Sequence, residues 1–169
     1  MVVISRERLF AEIAASRNLK AIEADLTKRV QASIDEAREL LTVEEAELAR
    51  LRAEISAEEF EERAQDFDRR LRLLRSNAQD RVNQVNAGFQ QARSEIVAAL
   101  PAILARLRVE VGAAVIVNSD QVLAMDPSVD VTDRAIALFD AEGPRPLPPD
   151  VDLDTPLLSP LADTVNGEQ

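Results

Sequence analysis

From Leu19 onward the apolar positions recur every three or four residues: Leu19, Ile22, Leu26, Val30, Ile34, Ala37 and Leu41, then Ala46, Leu48, Leu51 and Ile55 after a phase shift near Thr42. That spacing predicts a long amphipathic helix, with acids alternating with Arg and Lys on its solvated face. A second series follows at Phe60, Ala64, Phe67, Leu71, Leu74, Ala78, Val82, Val85, Phe89, Ala92, Ile96 and Leu100. Steps of only three and four, with a period of about 3.5, support a coiled-coil seam. Between the two lies "ISAEEF", where Ser56 and Glu59 have capping-box spacing. Thr42 with Glu45 has the same spacing, but Ser56 is the favoured turn. Two helices of similar length joined there make an antiparallel hairpin. Its first helix extends on the order of 55 Å.

The two ends read differently. Met1–Ile4 is a short β-branched run leading into a helix with Leu9, Phe10 and Ile13 at helical spacing. Pro101 falls inside the second helical run and is expected to bend it where a solvated arm meets a packed body. Gly112 is the natural stop. In "VIVNSDQVLAMDPSVDVTDRAIALFD", Val115–Asp140, an apolar strand, a polar turn and a second strand, "QVLAM", predict a β-hairpin. Asp130 or Thr132 then caps a final helix, with Ile136 and Phe139 facing the body and Arg134 and Asp140 facing water. The strands can pair with Met1–Ile4 and leave an edge to satisfy against another subunit. From Gly143 the chain holds six of its eight prolines and no periodicity, the pattern of a disordered tail. The expected organisation is a discontinuous body, 1–18 and 101–142, an arm, 19–100, with its turn near 55–58, and a Pro-rich acidic tail, 143–169.

Composition narrows the function more than the fold. The chain has 169 residues with no His, Cys, Trp or Tyr. Without His or Cys it lacks the commonest metal ligands, the usual general base and the thiol nucleophile, so an enzyme is not expected, nor is a cofactor. The net charge of −11 argues against nucleic acid as a partner. No apolar run approaches the ~18 residues that span a bilayer, and the start has no signal-peptide pattern.

The remaining chemical candidates are weak. Asp150, Asp152 and Asp154 begin like a calcium loop, but no Gly holds the sixth position and Leu161 stands at the twelfth. Asp120 and Asp130 near Ser119 have no base beside them in sequence, so turn and cap roles are expected. Phe60, Phe67 and Phe89 fall in phase with the seam and read as core. One charge pattern is sharper. Acids crowd the hairpin tip from Glu44 to Glu62, whereas from Arg69 to Glu95 the arginines Arg69, Arg70, Arg72, Arg75, Arg81 and Arg93 share the stretch with only Asp80 and Glu95 as acids.

The order of elements resembles the Skp/OmpH family of periplasmic chaperones. The likeness is carried by the closing "DVTDRAIALFD" after two apolar runs around Asn118-Ser119-Asp120, with "VVISRERLF" at the start and "SAEEFEERAQDFDRRLRLLR" at the turn. It covers residues 1 to 142. The resemblance implies a mainly α protein whose hairpin arm is attached to a β-containing trimerisation body, a jellyfish-like homotrimer. It also implies secretion, with a signal peptide removed, and an ATP-independent holdase that keeps unfolded outer-membrane β-barrel proteins from aggregating. The chain departs from that family in its acidic balance, with only Lys20 and Lys28, and in its proline-rich tail.

On this reading Val2, Val3, Ile4, Leu9, Phe10, Val115, Ile116, Val117, Val122, Leu123, Ile136 and Phe139 build the oligomerisation body. Arg69, Arg70, Arg72, Arg75 and Arg81 either form a solvated face with cross-hairpin ion pairs or line the cavity and meet client or an anionic lipid surface. The competing reading of the whole chain is a structural coiled-coil spacer or adaptor of the cell envelope.

Overall fold

Ser5 starts the first helix. Its side chain accepts a hydrogen bond from the Arg8 N–H at 3.2 Å, satisfying a donor that has no partner within the helical turn. In the computed structural model, which describes residues 1–158, the elements are β1 (Val2–Ile4), α1 (Arg6–Glu12), α2 (Ala14–Leu51), α3 (Ala57–Glu110), β2 (Ile116–Asn118) and α4 (Thr132–Glu142). Single 3₁₀ turns occupy Ser119–Gln121 and Pro127–Val129. The described residues divide into two compact units, Met1–Ala24 with Ala87–Pro149, and Asp25–Asn86 with residues 150–158.

In the first unit β1 and β2 form a two-stranded parallel sheet, with Val2 opposite Ile116, Val3 opposite Val117 and Ile4 opposite Asn118. The expected second strand at "QVLAM" is absent. After Asn118 the chain turns tightly, the Val122 N–H bonding to Ser119 O at 3.0 Å, and residues 121–125 never join the ladder. The other edge of β1 is met instead by a parallel bridge from Val3 to Asp130, and Val131 N–H donates to Val3 O at 2.9 Å. With β1 bonded on both sides, no β-hairpin is needed to satisfy it.

α1 packs on α4, and the shared core holds Val3, Ile4, Leu9, Ile13, Val131, Ala135 and Phe139. Asp140 does not face water. Its carboxylate accepts the Ala14 N–H at 2.7 Å and so satisfies the start of α2. Arg106 of α3 pairs with Glu142 at 2.6 Å. α3 runs through Pro101 without interruption to Glu110. Just past its end stands Gly112, whose φ of 63° is the left-handed conformation that a side chain disfavours.

In the second unit α2 and α3 pair along a seam containing Leu26, Val30, Ile34, Ala37 and Leu41 on one side and Leu74 and Val85 on the other. The turn comes at Ser56, as the sequence indicates. Ser56 Oγ accepts the Glu59 N–H at 3.2 Å, but Glu59 pairs with Arg63 at 2.8 Å, so only half of the capping box forms. The Arg52 guanidinium sits 5.8 Å from the Phe60 ring centre. Thr42 caps nothing: its hydroxyl donates back to Arg38 O at 3.0 Å within an unbroken α2.

Residues 143–158 contain no helix or strand, as their prolines dictate, yet they are packed against the unit each belongs to. In the first unit Pro149 lies so close to Gly88 that a Cβ there would come within 2.2 Å of the proline Cβ. In the second, Leu157 and Leu158 are buried. The rest of the expected tail, 159–169, with Leu161, lies outside the described residues.

Candidate functional site

The arginine band begins where the acid-rich tip ends, and the hairpin treats its members differently. Arg70 extends across the seam from α3, its Nη1 donating to both carboxylate oxygens of Glu44 at 2.7 Å. Both side chains are largely buried, and Arg70 Nε has no partner among the described residues. Arg69 pairs with Asp66 one turn earlier on its own helix. Arg81 is nearly buried, and its Nη2 donates to Thr155 O at 2.8 Å. Arg93, in the first unit, pairs with Glu23. Arg72 and Arg75 are exposed and have no carboxylate partner among the described residues.

Arg75 borders a groove of about 490 Å³ between the two helices, walled by Ile34, Leu41, Phe67, Leu71 and Leu74, with Arg38 and Glu45 also lining it. Around the same unit Leu40, Val43 and Leu73 are more than half exposed. These are isolated apolar side chains among charges, a surface for many small contacts rather than one deep pocket. Phe89 is wholly buried, as its phase predicts, whereas Phe60 and Phe67 are half-buried.

The assembly candidates also separate into two groups. Val3, Ile4, Leu9 and Phe139 are core of the first unit. Val2, Phe10, Ile116, Val117, Val122 and Ile136 are half-buried. Val115 and Leu123 project into solvent, Leu123 completely. Met1 and Met125, exposed beside them in sequence, were not among the candidates; their positions flanking β1 and the 121–125 run are the signal that could have found them.

The same unit contains a polar junction. The buried Thr132 hydroxyl accepts the Ser5 N–H at 2.9 Å and donates to the Asp130 carboxylate, which also accepts the Thr132 N–H at 2.8 Å. The two bonds from Thr132 hold the Asp130 carboxyl below the usual carboxylate range. Asn118 Oδ1 accepts the Arg6 N–H at 3.2 Å, tying the end of β2 to the start of α1. Arg8 bridges Glu12 and Asp133, and these two hydrogen bonds raise its pKa further. Asp120 accepts from the Asn118 amide at 2.9 Å, a turn role.

No group of His, Cys, Asp or Glu able to hold a metal ion occurs among the described residues. Asp152 accepts the N–H groups of Asp154 and Thr155 at 2.9 and 3.0 Å, forming a turn where the sequence mimics a calcium loop. These bonds lower its pKa, that of Thr155 most. No helix among the described residues is long and apolar enough to cross a membrane.

The comparison with curated proteins finds no match. Among solved structures, a crystal structure of a candidate outer membrane chaperone (OmpH-like) from Caulobacter crescentus CB15 has a similar fold, with a TM-score of 0.79 at 20% identity over 89% of each chain. The family described as outer membrane protein (OmpH-like) matches residues 1–139, which takes in every helix and strand but the last three residues of α4. The chain belongs to the OmpH-like family.

Proposed function

We propose that this protein is an ATP-independent holdase chaperone of the periplasm. As a homotrimer it holds unfolded outer-membrane β-barrel proteins among its helical-hairpin arms and prevents their aggregation on the way to the outer membrane. The observation that carries the reading is membership of the OmpH-like family over residues 1–139, and the fold likeness to a candidate outer membrane chaperone supports it.

The chemistry of the hairpin fits this task. Leu40, Val43 and Leu73 offer separated apolar contacts, and Arg72 and Arg75 offer cations not engaged with carboxylates among the described residues. Contacts of this kind are individually weak and quickly reversible, and they sum to useful avidity without an energy source. Arg72 and Arg75 are the members of the band assigned to client acids or to an anionic lipid surface. Arg69 and Arg70, with carboxylate partners of their own, hold the hairpin's surface in shape. Exposed Val115, Leu123, Met1 and Met125 are assigned to the trimer interface.

The test is light scattering after dilution of a urea-unfolded β-barrel protein into buffer with this chain. Suppression at a few trimers per client is expected. Unchanged scattering would overturn the holdase and favour the envelope spacer.

A further inference from the structure

We propose that the Asn77–Arg81 turn of α3 is a binding site for an extended segment of unfolded polypeptide, and that residues 150–158 occupy it in cis as a competitor. The client named here rests on the holdase reading above; the site itself rests on the geometry of the second unit.

A segment without helix or strand leaves its carbonyls unbonded unless something else supplies donors. Two side chains of α3 do so. Arg81 Nη2 donates to Thr155 O at 2.8 Å and Asn77 Nδ2 donates to Leu157 O at 2.9 Å. The two spacings match. Side chains four apart on a helix share one face and are separated by about 6 Å along the axis. Carbonyls two apart on an extended chain point to the same side, about 6.6 Å apart. The strap meets the two donors with bends at Thr155 and Leu157, so what the pair requires is two acceptors at this separation, and an extended chain laid antiparallel to this turn presents its carbonyls at that spacing. Recognition through carbonyls suits a protein whose partners have no common sequence.

Two further observations point to a built site. Arg81 is only 9% exposed, and its Nη1 is a buried donor without a partner among the described residues, so the site can take one more acceptor than the strap supplies. Leu157 and Leu158 are 4% and 8% exposed, although they lie in a segment with no regular structure. Adjacent aliphatic side chains therefore anchor the occupant while Arg81 and Asn77 hold its backbone. The partner is an extended segment with two neighbouring aliphatic residues, as unfolded β-strands contain. A tethered occupant acts at an effective concentration on the order of millimolar. Only a client engaging several arm positions at once can displace it, so a single weak apolar contact does not load the chaperone.

The experiment uses the full chain and a fluorescein-labelled peptide with the sequence of residues 150–158, DVDLDTPLL. Leu157→Ser with Leu158→Ser releases the strap and leaves α3 intact. For a peptide with a Kd of about 0.1 mM, anisotropy should show binding about tenfold tighter to this variant than to the parent. Adding Arg81→Gln to the released variant should abolish that gain with helicity by circular dichroism retained. Equal binding to parent and released variant, or full binding after Arg81→Gln, would refute the site. If the double substitution itself lowers helicity, a chain ending at Pro149 replaces it under the same two criteria. An unfolded β-barrel fragment should displace the peptide from the released variant; failure to displace it refutes the assignment of client. The peptide titration reads the site alone and light scattering reads the holdase alone, so either can fail without the other.

Discussion

Thr132 joins three parts of the chain through one hydroxyl: the end of β1 through Ser5 N–H, the turn at Asp130, and the start of α4. Because the residue is completely buried, removing the hydroxyl leaves the Ser5 N–H unsatisfied. Thr132→Val, nearly the same shape, should therefore destabilise the protein by about 1–3 kcal/mol in urea unfolding. Asp130 makes a related prediction with a defined sign. Its folded pKa is lowered, so the unfolded chain binds the proton more readily. The stabilisation is present above the unfolded carboxyl pKa, about 3.9, and is lost as pH falls through the lower folded value. Asp130→Asn should flatten the fall of the thermal midpoint in that acid window and leave the slope near neutral pH unchanged. The sequence offered Asp130 or Thr132 as the cap of α4; the N-cap position is instead Val131, which makes no side-chain cap bond, and Asp130 accepts the Thr132 N–H beside it. No sequence signal shows that Thr132 would also receive a donor 127 residues away, since nothing local encodes that encounter.

At the scale of elements, α2 and α3 were legible because a helix spanning many turns repeats its apolar signal many times. Ser56 was legible because a cap is a local bond. Ser56→Ala should cost about 0.5–2 kcal/mol by thermal unfolding, with Glu59 unable to compensate while paired to Arg63. Pro101 lacks the N–H that a helix interior requires, yet α3 continues past it. Pro101→Ala should raise the thermal midpoint and the helical content, since proline is about 3 kcal/mol worse than alanine in a helix interior. If the midpoint falls instead, Pro101 has a packing role that its exposure does not suggest. The weakest expectation was the β-hairpin. "AAVIV" and "QVLAM" have the composition of strands, but three-residue strands carry too few positions for composition to decide pairing. In the fold the other edge of β1 is taken by the Asp130–Val131 segment, whose Val131 N–H donates to Val3 O, and the 121–125 run stays outside the ladder.

On the scale of the whole molecule, the proposed trimer needs a surface that the single chain leaves uncovered, and the fully exposed Leu123 beside Met125 is where a charge should act most strongly. Leu123→Glu is expected to yield monomers by light scattering at micromolar concentration with helicity unchanged; a variant that still assembles would remove this run from the interface. The sequence by itself determined that the protein is mainly helical, where the hairpin turns, that Phe89 and the seam are core, and that residues 143–158 form no helix or strand. Each of these depends on interactions within a few residues, repeated or strong enough to survive any arrangement of the rest. Only the tertiary structure decided that β1 pairs in parallel with β2, that Arg70 and Arg81 turn inward while Arg72 and Arg75 stay exposed, and that Leu157 and Leu158 are buried in a proline-rich segment. Identical arginines on one helix differ in whether an acceptor from a distant part of the chain comes within about 3 Å, and that distance is a property of the folded chain alone.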